Sequence, residues 1–197
     1  MALIKGKNRR DSDRQPEHPT LGDADPTVRL AAAHELGEHG TGVAELLALV
    51  PVEKDPAVRQ SALSALAEHD TVEIAQALVP MLHSDDAPLR NAVLEALRVM
   101  PWAVAQILPE LLDDPDPDVR ILAGMLMVDS HHHDTRPRLE AALAAEQHPN
   151  VVAALLEAYL HIQDAASRPV LTGLRDRFPD NPFLAYTIDT ALKQSEP

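Results

Sequence analysis

Apolar residues recur in this chain at the spacing of one face of an α-helix. In one copy, Val58 is followed by Ala62, Ala65 and Leu66, which lie four, seven and eight residues further on. This spacing places all four side chains on one stripe of a helix. The segment returns at intervals of about 30 residues, with its reference residue at Val28, Val58, Leu89, Val119 and Val151. A weaker sixth copy begins at Asn181.

Each copy opens with residues that start helices. An Asp in four copies and an Asn in the last offer an oxygen to the free N–H groups of the first turn, while the fifth copy begins with His148. A Pro follows within two residues, where no donor is needed. Five shorter apolar segments between the copies predict companion helices, at residues 42–50, 72–82, 103–112, 136–146 and 168–178. A two-helix unit of this size cannot bury its own apolar face, so neighbouring units must stack. The pattern predicts an all-α solenoid.

Composition describes the interior of this stack. Apolar residues make up 45% of the chain and aromatic residues only 3%, so Ala, Leu and Val must fill the space between closely packed helices. The absence of cysteine excludes disulfides, thiolate metal sites and cysteine nucleophiles. No segment approaches the roughly 20 apolar residues of a membrane span, and nothing resembles a signal peptide. We expect a cytoplasmic protein that does not associate with membranes.

The charge is strongly negative and unevenly distributed. With 17 cations and 31 anions, the formal net charge is −14. Residues 1–20 hold five cations and three anions, a local +2, so the remainder carries −16. Such a body repels phosphate backbones and attracts basic partners. We therefore expect a protein partner with a basic surface and no nucleic acid. We also expect residues 1–20 to form a flexible arm and 21–197 a single domain.

The recurring pattern DPxVRxxAxxAL, preceded by an apolar helix, resembles the short HEAT-like repeats that are named after the phycobilisome lyases. The resemblance covers about residues 25–193. It implies a right-handed α-solenoid of about five to six two-helix repeats, in which the helix that starts at the motif lines the concave side. Related repeats occur in bilin lyase subunits, adaptors and chaperone-like scaffolds, DNA-repair glycosylases, and an iron-dependent deoxyhypusine hydroxylase.

The residues that two of these enzymes need are missing here. The hydroxylase family holds two irons with a His-Glu pair directly after the repeat arginine. The corresponding pairs in this chain are Leu30-Ala31, Gln60-Ser61, Asn91-Ala92 and Ile121-Leu122. A glycosylase would require a basic groove or an aromatic platform for bases. No nucleophile elbow, phosphate loop or triad spacing appears either. The sequence favours a protein that is not an enzyme and that uses no cofactor.

Four copies carry an arginine directly after the reference residue, at Arg29, Arg59, Arg90 and Arg120, and Val152 takes the next place. These four residues, which we call the arginine ladder, allow two interpretations. They form an anion-binding row, or each guanidinium pairs with a capping Asp of its own or the neighbouring repeat. The fit between a guanidinium fork and a carboxylate favours the second interpretation. Val152 then predicts a changed stacking contact.

The positions two, three and six residues after the reference residue are predicted to face the concave groove. In the fourth copy they are Ile121, Leu122 and Met125, within a helix that is apolar on every side. Such a helix is normally covered, either by a partner or second copy in the groove or by an irregular terminal segment. The predicted partner site comprises Ile121, Leu122, Met125, Asn91, Glu95 and Trp102. Trp102 is either a cap over the helix that follows or an exposed anchor.

Several histidines fall at equivalent places and predict a His-rich edge of the stack: His39, His69, His131 and His161. The tract His131, His132, His133 and Asp134 could recruit a divalent metal. Histidine is also common in exposed turns that bind no metal.

Three functions follow from these observations. The preferred hypothesis is a non-catalytic scaffold or accessory protein that binds a protein partner through its concave face. A bilin lyase or isomerase subunit, with a tetrapyrrole in the groove, is the first alternative, and a metal-binding module at the His-rich edge is the second. The sequence does not decide the oligomeric state.

Overall fold

The computed structural model of the chain describes residues 20–128 and 134–194. These residues form eleven α-helices and one 3-10 turn at Ala165–Ser167, and they contain no strand. Six helices start at the repeated motif and are called DP helices: α1 (Pro26–His39), α3 (Pro56–Ala67), α5 (Ala87–Arg98), α7 (Pro117–Met127), α9 (Pro149–His161) and α11 (Pro182–Gln194). Five companion helices alternate with them: α2 (Val43–Leu49), α4 (Val72–Leu82), α6 (Pro101–Leu112), α8 (Thr135–Ala145) and α10 (Arg168–Arg177). None of these helices is long and apolar enough to cross a bilayer.

The DP helices begin with the predicted capping chemistry. Four aspartates accept a hydrogen bond from a first-turn backbone N–H of their helix: Asp25, Asp55, Asp86 and Asp116. Asn181 does the same for α11, since its Oδ1 accepts from the Leu184 N–H at 3.0 Å. His148 caps α9 with no side-chain bond. Local capping therefore explains where five of these six helices start.

Helix packing builds two layers. Each companion helix packs against the DP helix that follows it, so that α2 lies on α3, α4 on α5, α6 on α7, α8 on α9 and α10 on α11. The DP helices also pack in a row, each against the next along the chain. The prediction of an all-α solenoid of two-helix repeats is confirmed, with five companion–DP pairs after α1 in the described residues.

The core lies between the two layers and follows the predicted stripe. In α3, α5, α7 and α9, the positions four, seven and eight after the reference residue are all buried. In α9 this stripe includes Tyr159, a fully buried aromatic residue whose hydroxyl donates to Glu140 at 2.9 Å. Among the described residues of α1, the same stripe is less covered, because Glu35 and Leu36 remain partly exposed.

Two glycines mark places where neighbouring DP helices approach closely. A Cβ atom added at Gly37 would lie 2.8 Å from the Cβ of Ala65, which joins α1 to α3. A Cβ at Gly124 would lie 3.1 Å from the Cβ of Ala154 and 3.2 Å from its carbonyl carbon, which joins α7 to α9. A larger residue at either crossing would have to push the helices apart.

Candidate protein-binding face

Each arginine of the ladder fixes the loop that precedes its own helix. The guanidinium donates a hydrogen bond to the carbonyl oxygen six residues earlier in all four repeats. The pairs are Arg29 with Asp23 at 2.8 Å, Arg59 with Glu53, Arg90 with Ser84, and Arg120 with Asp114 at 2.8 Å. The repetition of one bond shows that the arginines have a structural role, as the sequence predicted.

Three of the four arginines also reach a carboxylate in the following repeat. The N–O distances are 2.7 Å for Arg29–Glu53, 2.8 Å for Arg120–Glu146 and 3.5 Å for Arg59–Asp86. Only Asp86 is a capping aspartate, whereas each glutamate lies two residues before the N-cap residue of its helix. The prediction of capping Asp as the partner is therefore right for Arg59 and wrong for the two closest pairs. It is also wrong for Arg90, which binds the Ser84 carbonyl oxygen and no carboxylate of the described residues. A glutamate side chain reaches the guanidinium from the loop, while the caps of α3 and α7 bind their own backbones.

Glu53 and Glu146 are held as carboxylates. The Arg29 guanidinium lowers the pKa of Glu53 to about 2 despite burial, helped by the Lys54 and Asp55 N–H groups, each 2.8 Å from Oε1. Burial alone would raise the pKa of Glu146, but hydrogen bonds from Arg120 and two backbone N–H groups outweigh it and keep that pKa below its usual value. Each glutamate thus joins two consecutive repeats.

One repeated position escaped the sequence prediction. The side chain two residues before the N-cap accepts a hydrogen bond from the N-cap residue's own N–H in five consecutive repeats: Asp23, Glu53, Ser84, Asp114 and Glu146. The signal was available, since an oxygen-bearing side chain stands at this place in all five copies. This position and the arginine together fix the entry of the chain into each DP helix.

The gap in the ladder at Val152 is filled from another helix. Arg177, near the end of α10, donates to the Glu146 carbonyl oxygen at 3.1 Å, and Glu146 holds the place that the arginine's carbonyl partner holds in other repeats. Arg177 also donates to the carbonyl oxygens of Ala144, at 2.9 Å, and Leu143. Val152 predicted a changed stacking contact in this repeat, and the hydrogen bonds of Arg177 are that contact.

The predicted partner site is divided between two environments. Ile121, Leu122 and Met125 are partly buried and pack against the core. The stack itself therefore uses part of the apolar surplus of α7. Asn91 and Glu95, on the preceding DP helix α5, are exposed.

The repeat register extends this site onto α9. Ala153 and Ala154 hold positions two and three and are partly buried, while Glu157 holds position six and is exposed. We call the surface formed by positions two, three and six of α5, α7 and α9 the DP face. It consists of a partly buried apolar centre on α7 between the carboxylates Glu95 and Glu157.

Trp102 lies on the companion helix α6 and is therefore not part of the DP face. Its side chain is 55% exposed, although its backbone N–H is fixed by the Asp70 carboxylate at 3.2 Å. The Ala103 N–H donates to the same carboxylate at 2.9 Å. Asp70 therefore caps α6, and the indole remains largely in solvent.

Two histidines of the predicted edge bind their own helices. The Nδ1 atoms of His39 and His161 lie 2.7 and 2.8 Å from the carbonyl oxygens of Glu35 and Glu157, a favourable place for histidine at a helix C-terminus. His131, His132 and His133 lie outside the described residues, and Asp134 is exposed directly before α8. Residues 20–128 and 134–194 contain no group of three or more side chains that could hold a metal ion.

A comparison with family models supports the repeat assignment over the first part of the chain. Residues 18–98 match the family model described as HEAT repeats. This part of the chain is thus similar to HEAT repeats, and the same alternation of helices continues beyond the matched residues to α11. A crystal structure of an engineered protein from the Northeast Structural Genomics Consortium is similar over 88% of this chain and 92% of its own, with 18% identity and a TM-score of 0.41. A search of curated proteins found no match.

Proposed function

We propose that the chain is a non-catalytic scaffold that binds a protein partner on its DP face, which the resemblance predicts to be concave. HEAT repeats typically mediate interactions between proteins. The observation that carries the proposal is the partly buried apolar centre on α7, which lies beside exposed polar residues of α5 and α9. Partly exposed apolar side chains within a polar rim are typical of interfaces.

The packing around this centre supports a preformed site. Gly124 brings α7 and α9 into close contact, so the backbone under the partner is fixed before binding. A rigid surface loses little conformational entropy when it binds. Met125 adds a side chain that adapts to different partner shapes.

The chemistry of the surface favours a basic amphipathic segment as the partner. Apolar side chains at helical spacing would contact Ile121, Leu122 and Met125, and flanking Lys or Arg residues would lie near Glu95 and Glu157. The charge of −16 on residues beyond the first 20 would accelerate the encounter with such a segment. The lyase and metal-binding hypotheses gain no support from any contact among the described residues.

A position-specific crosslink tests this proposal. A photo-crosslinking amino acid placed at Glu95, on the DP face, should give a covalent adduct with one protein partner in native cells. The matched control is Gln106, an exposed residue on the companion helix α6. An adduct at Glu95 that is absent or at least about tenfold weaker at Gln106 would support the proposal. Equal adducts at both positions, or an adduct only at Gln106, would place binding elsewhere.

A further inference from the structure

Two large aromatic side chains lie exposed on the last DP helix. Phe183 and Tyr186 of α11 are 64% and 74% exposed, and their spacing of three residues makes them neighbours on the helix surface. We call them the aromatic pair. The chain has one Trp, two Tyr and two Phe, and its core is made mainly of Ala, Leu and Val. Packing of the stack therefore does not account for two rings in solvent.

The repeat register places the aromatic pair on the side of α11 that continues the DP face. Leu184 takes the reference place in the sixth copy, so Tyr186 holds position two, as Ile121 does in α7 and Ala153 in α9. Phe183 lies one turn before Tyr186 on the same side. Since α11 packs against α9, the aromatic pair extends the DP face by one helix.

The side of α11 on which a further helix would stack is a different one. At the two close crossings, positions nine and five face the following DP helix, as Gly37 faces α3 and Gly124 faces α9. In α11 these positions are Lys193 and Asp189, which are exposed and charged. The aromatic pair lies about 70° further around the helix. Stacking would cover the two charges at a cost, so it does not explain the exposed rings.

The chemistry of the aromatic pair fits a basic segment of a partner. Position six is a glutamate in α5 and α9, at Glu95 and Glu157, but a threonine in α11, at Thr190. Aromatic rings attract a Lys or Arg side chain over their faces, so the pair can bind a cation where this position offers no carboxylate. The charge of −16 beyond the first 20 residues favours such a partner over a second copy of this acidic chain.

One partner helix can contact the centre of the DP face and the aromatic pair together. The axes of packed neighbouring helices lie about 8 to 10 Å apart, so α11 lies about 16 to 20 Å from α7 along the row of DP helices. A helix rises about 1.5 Å per residue and covers this distance in about 11 to 13 residues. A segment of ordinary helix length therefore reaches both places.

We propose that Phe183 and Tyr186 form a second anchor of the DP face, which receives a Lys or Arg side chain of the bound partner. This inference rests on the proposed function, because it names a further contact of the same partner. It also narrows the partner to an amphipathic helix with a cation about 11 to 13 residues from its apolar anchor.

Calorimetry with a defined peptide tests this anchor. The probe is a synthetic helix of about 20 Leu and Lys residues, with the Leu side chains on one stripe. Phe183→Ser with Tyr186→Ser should raise its dissociation constant at least about tenfold. The control, Val99→Ser with Trp102→Ser, removes two side chains that are 65% and 55% exposed near the start of α6, and should stay within about threefold of wild type. Equal losses in both variants, or no loss in the first, would overturn the proposal.

Charge reversal on the DP face separates this anchor from the proposed function. Glu95→Lys with Glu157→Lys is measured with the same peptide and should also weaken binding. A loss in this variant but none in the aromatic variant would refute the anchor and leave binding on the DP face intact. No binding by the wild type, or no loss in either variant, would contradict both.

A second pair of variants tests whether the rings bind a cation. Phe183→Tyr with Tyr186→Phe exchanges the two rings and should leave the dissociation constant within about twofold of wild type. Phe183→Leu with Tyr186→Leu keeps apolar bulk without the ring faces and should raise it at least about fivefold. Equal affinity of these two variants for the peptide would show that no cation lies on the rings.

Discussion

At the scale of single residues, the junctions between repeats depend on buried ion pairs as well as on apolar packing. The side chains of Arg29 and Glu53 are 17% and 2% exposed, and Arg120 and Glu146 form an equivalent pair between the fourth and fifth repeats. A buried carboxylate is tolerated only where charge and hydrogen bonds compensate its lost hydration. Each glutamate receives the compensating charge from an arginine and further hydrogen bonds from two backbone N–H groups.

The ionisation of Glu53 makes stability depend on pH. The pKa of Glu53 is about 2 in the folded state against an ordinary value of 4.5. A lowered folded-state pKa adds stability that is complete above the unfolded value and is lost as pH falls toward the folded value. We predict that Glu53→Gln unfolds about 2 to 3 kcal/mol more easily than wild type at pH 7.

This difference should narrow as pH falls from about 4.5 toward about 2, where the wild-type side chain also becomes neutral. Urea unfolding followed by circular dichroism over this range measures the difference. Glu68→Gln, at an exposed site on the end of α3, is the control and should differ little from wild type. A Glu53→Gln difference that does not change with pH would contradict the assigned ion pair.

The sequence predicted these residues only in part. The arginines were identifiable as structural because they recur in one register and because a guanidinium requires a partner. Glu53 was not identifiable as that partner, since it lies 24 residues from Arg29 and only the folded loop brings the two together. Val152, in the place of a ladder arginine, indicated that the stacking contact changes in this repeat. The residue that replaces the arginine, Arg177, lies on another helix, α10, and so was not identifiable.

Removal of Arg177 tests this substitution. Arg177→Ala leaves three carbonyl oxygens at the α8–α9 junction without their donor, and we expect a loss of about 1 to 3 kcal/mol in unfolding free energy. Arg175→Ala removes only an exposed ion pair with Asp189 at 3.1 Å and should cost less than about 1 kcal/mol. Chemical denaturation of both variants makes the comparison. Equal effects would mean that Arg177 does not complete the ladder.

At the scale of helices, the positions of glycine determine how closely neighbouring DP helices pack. Gly124 lies in the middle of α7 and faces Ala154 of α9, while Gly173 in α10 has no atom near its missing Cβ. Helix starts could be predicted because capping is local. The close crossing at Gly124 could not be predicted, because it depends on how α7 and α9 are rotated relative to each other.

Alanine substitutions at Gly124 and Gly173 test this difference between the two positions. Gly173→Ala should stabilise the protein by up to about 1 kcal/mol, because Ala favours helix. Gly124→Ala gains the same propensity but must displace the Ala154 backbone, 3.2 Å from the new Cβ. Such overpacking costs about 1 to 3 kcal/mol, so we expect a net loss. Urea denaturation measures both, and similar stabilisation by the two substitutions would show that α7 and α9 are further apart.

At the scale of the whole molecule, the repeat unites these contacts in one architecture. The period, the caps and the apolar stripe predicted an all-α stack because each is repeated several times in the sequence. The extent to which Ile121, Leu122 and Met125 are covered could not be predicted, because it depends on the approach of α9. Because these three side chains are partly buried in the stack, charge reversal at the exposed rim is a better test of binding than substitution at the centre.

The proposed function depends most directly on where a partner binds. Glu95→Lys with Glu157→Lys reverses both carboxylates of the DP face, and Glu73→Lys with Glu110→Lys makes the same change at exposed sites of α4 and α6. The dissociation constant of the partner crosslinked at Glu95 is then measured for both variants and wild type. We predict that affinity falls at least about tenfold for the DP-face variant, while the companion-helix variant stays within about threefold of wild type. Equal losses in both variants, or no loss in the first, would contradict binding on the DP face.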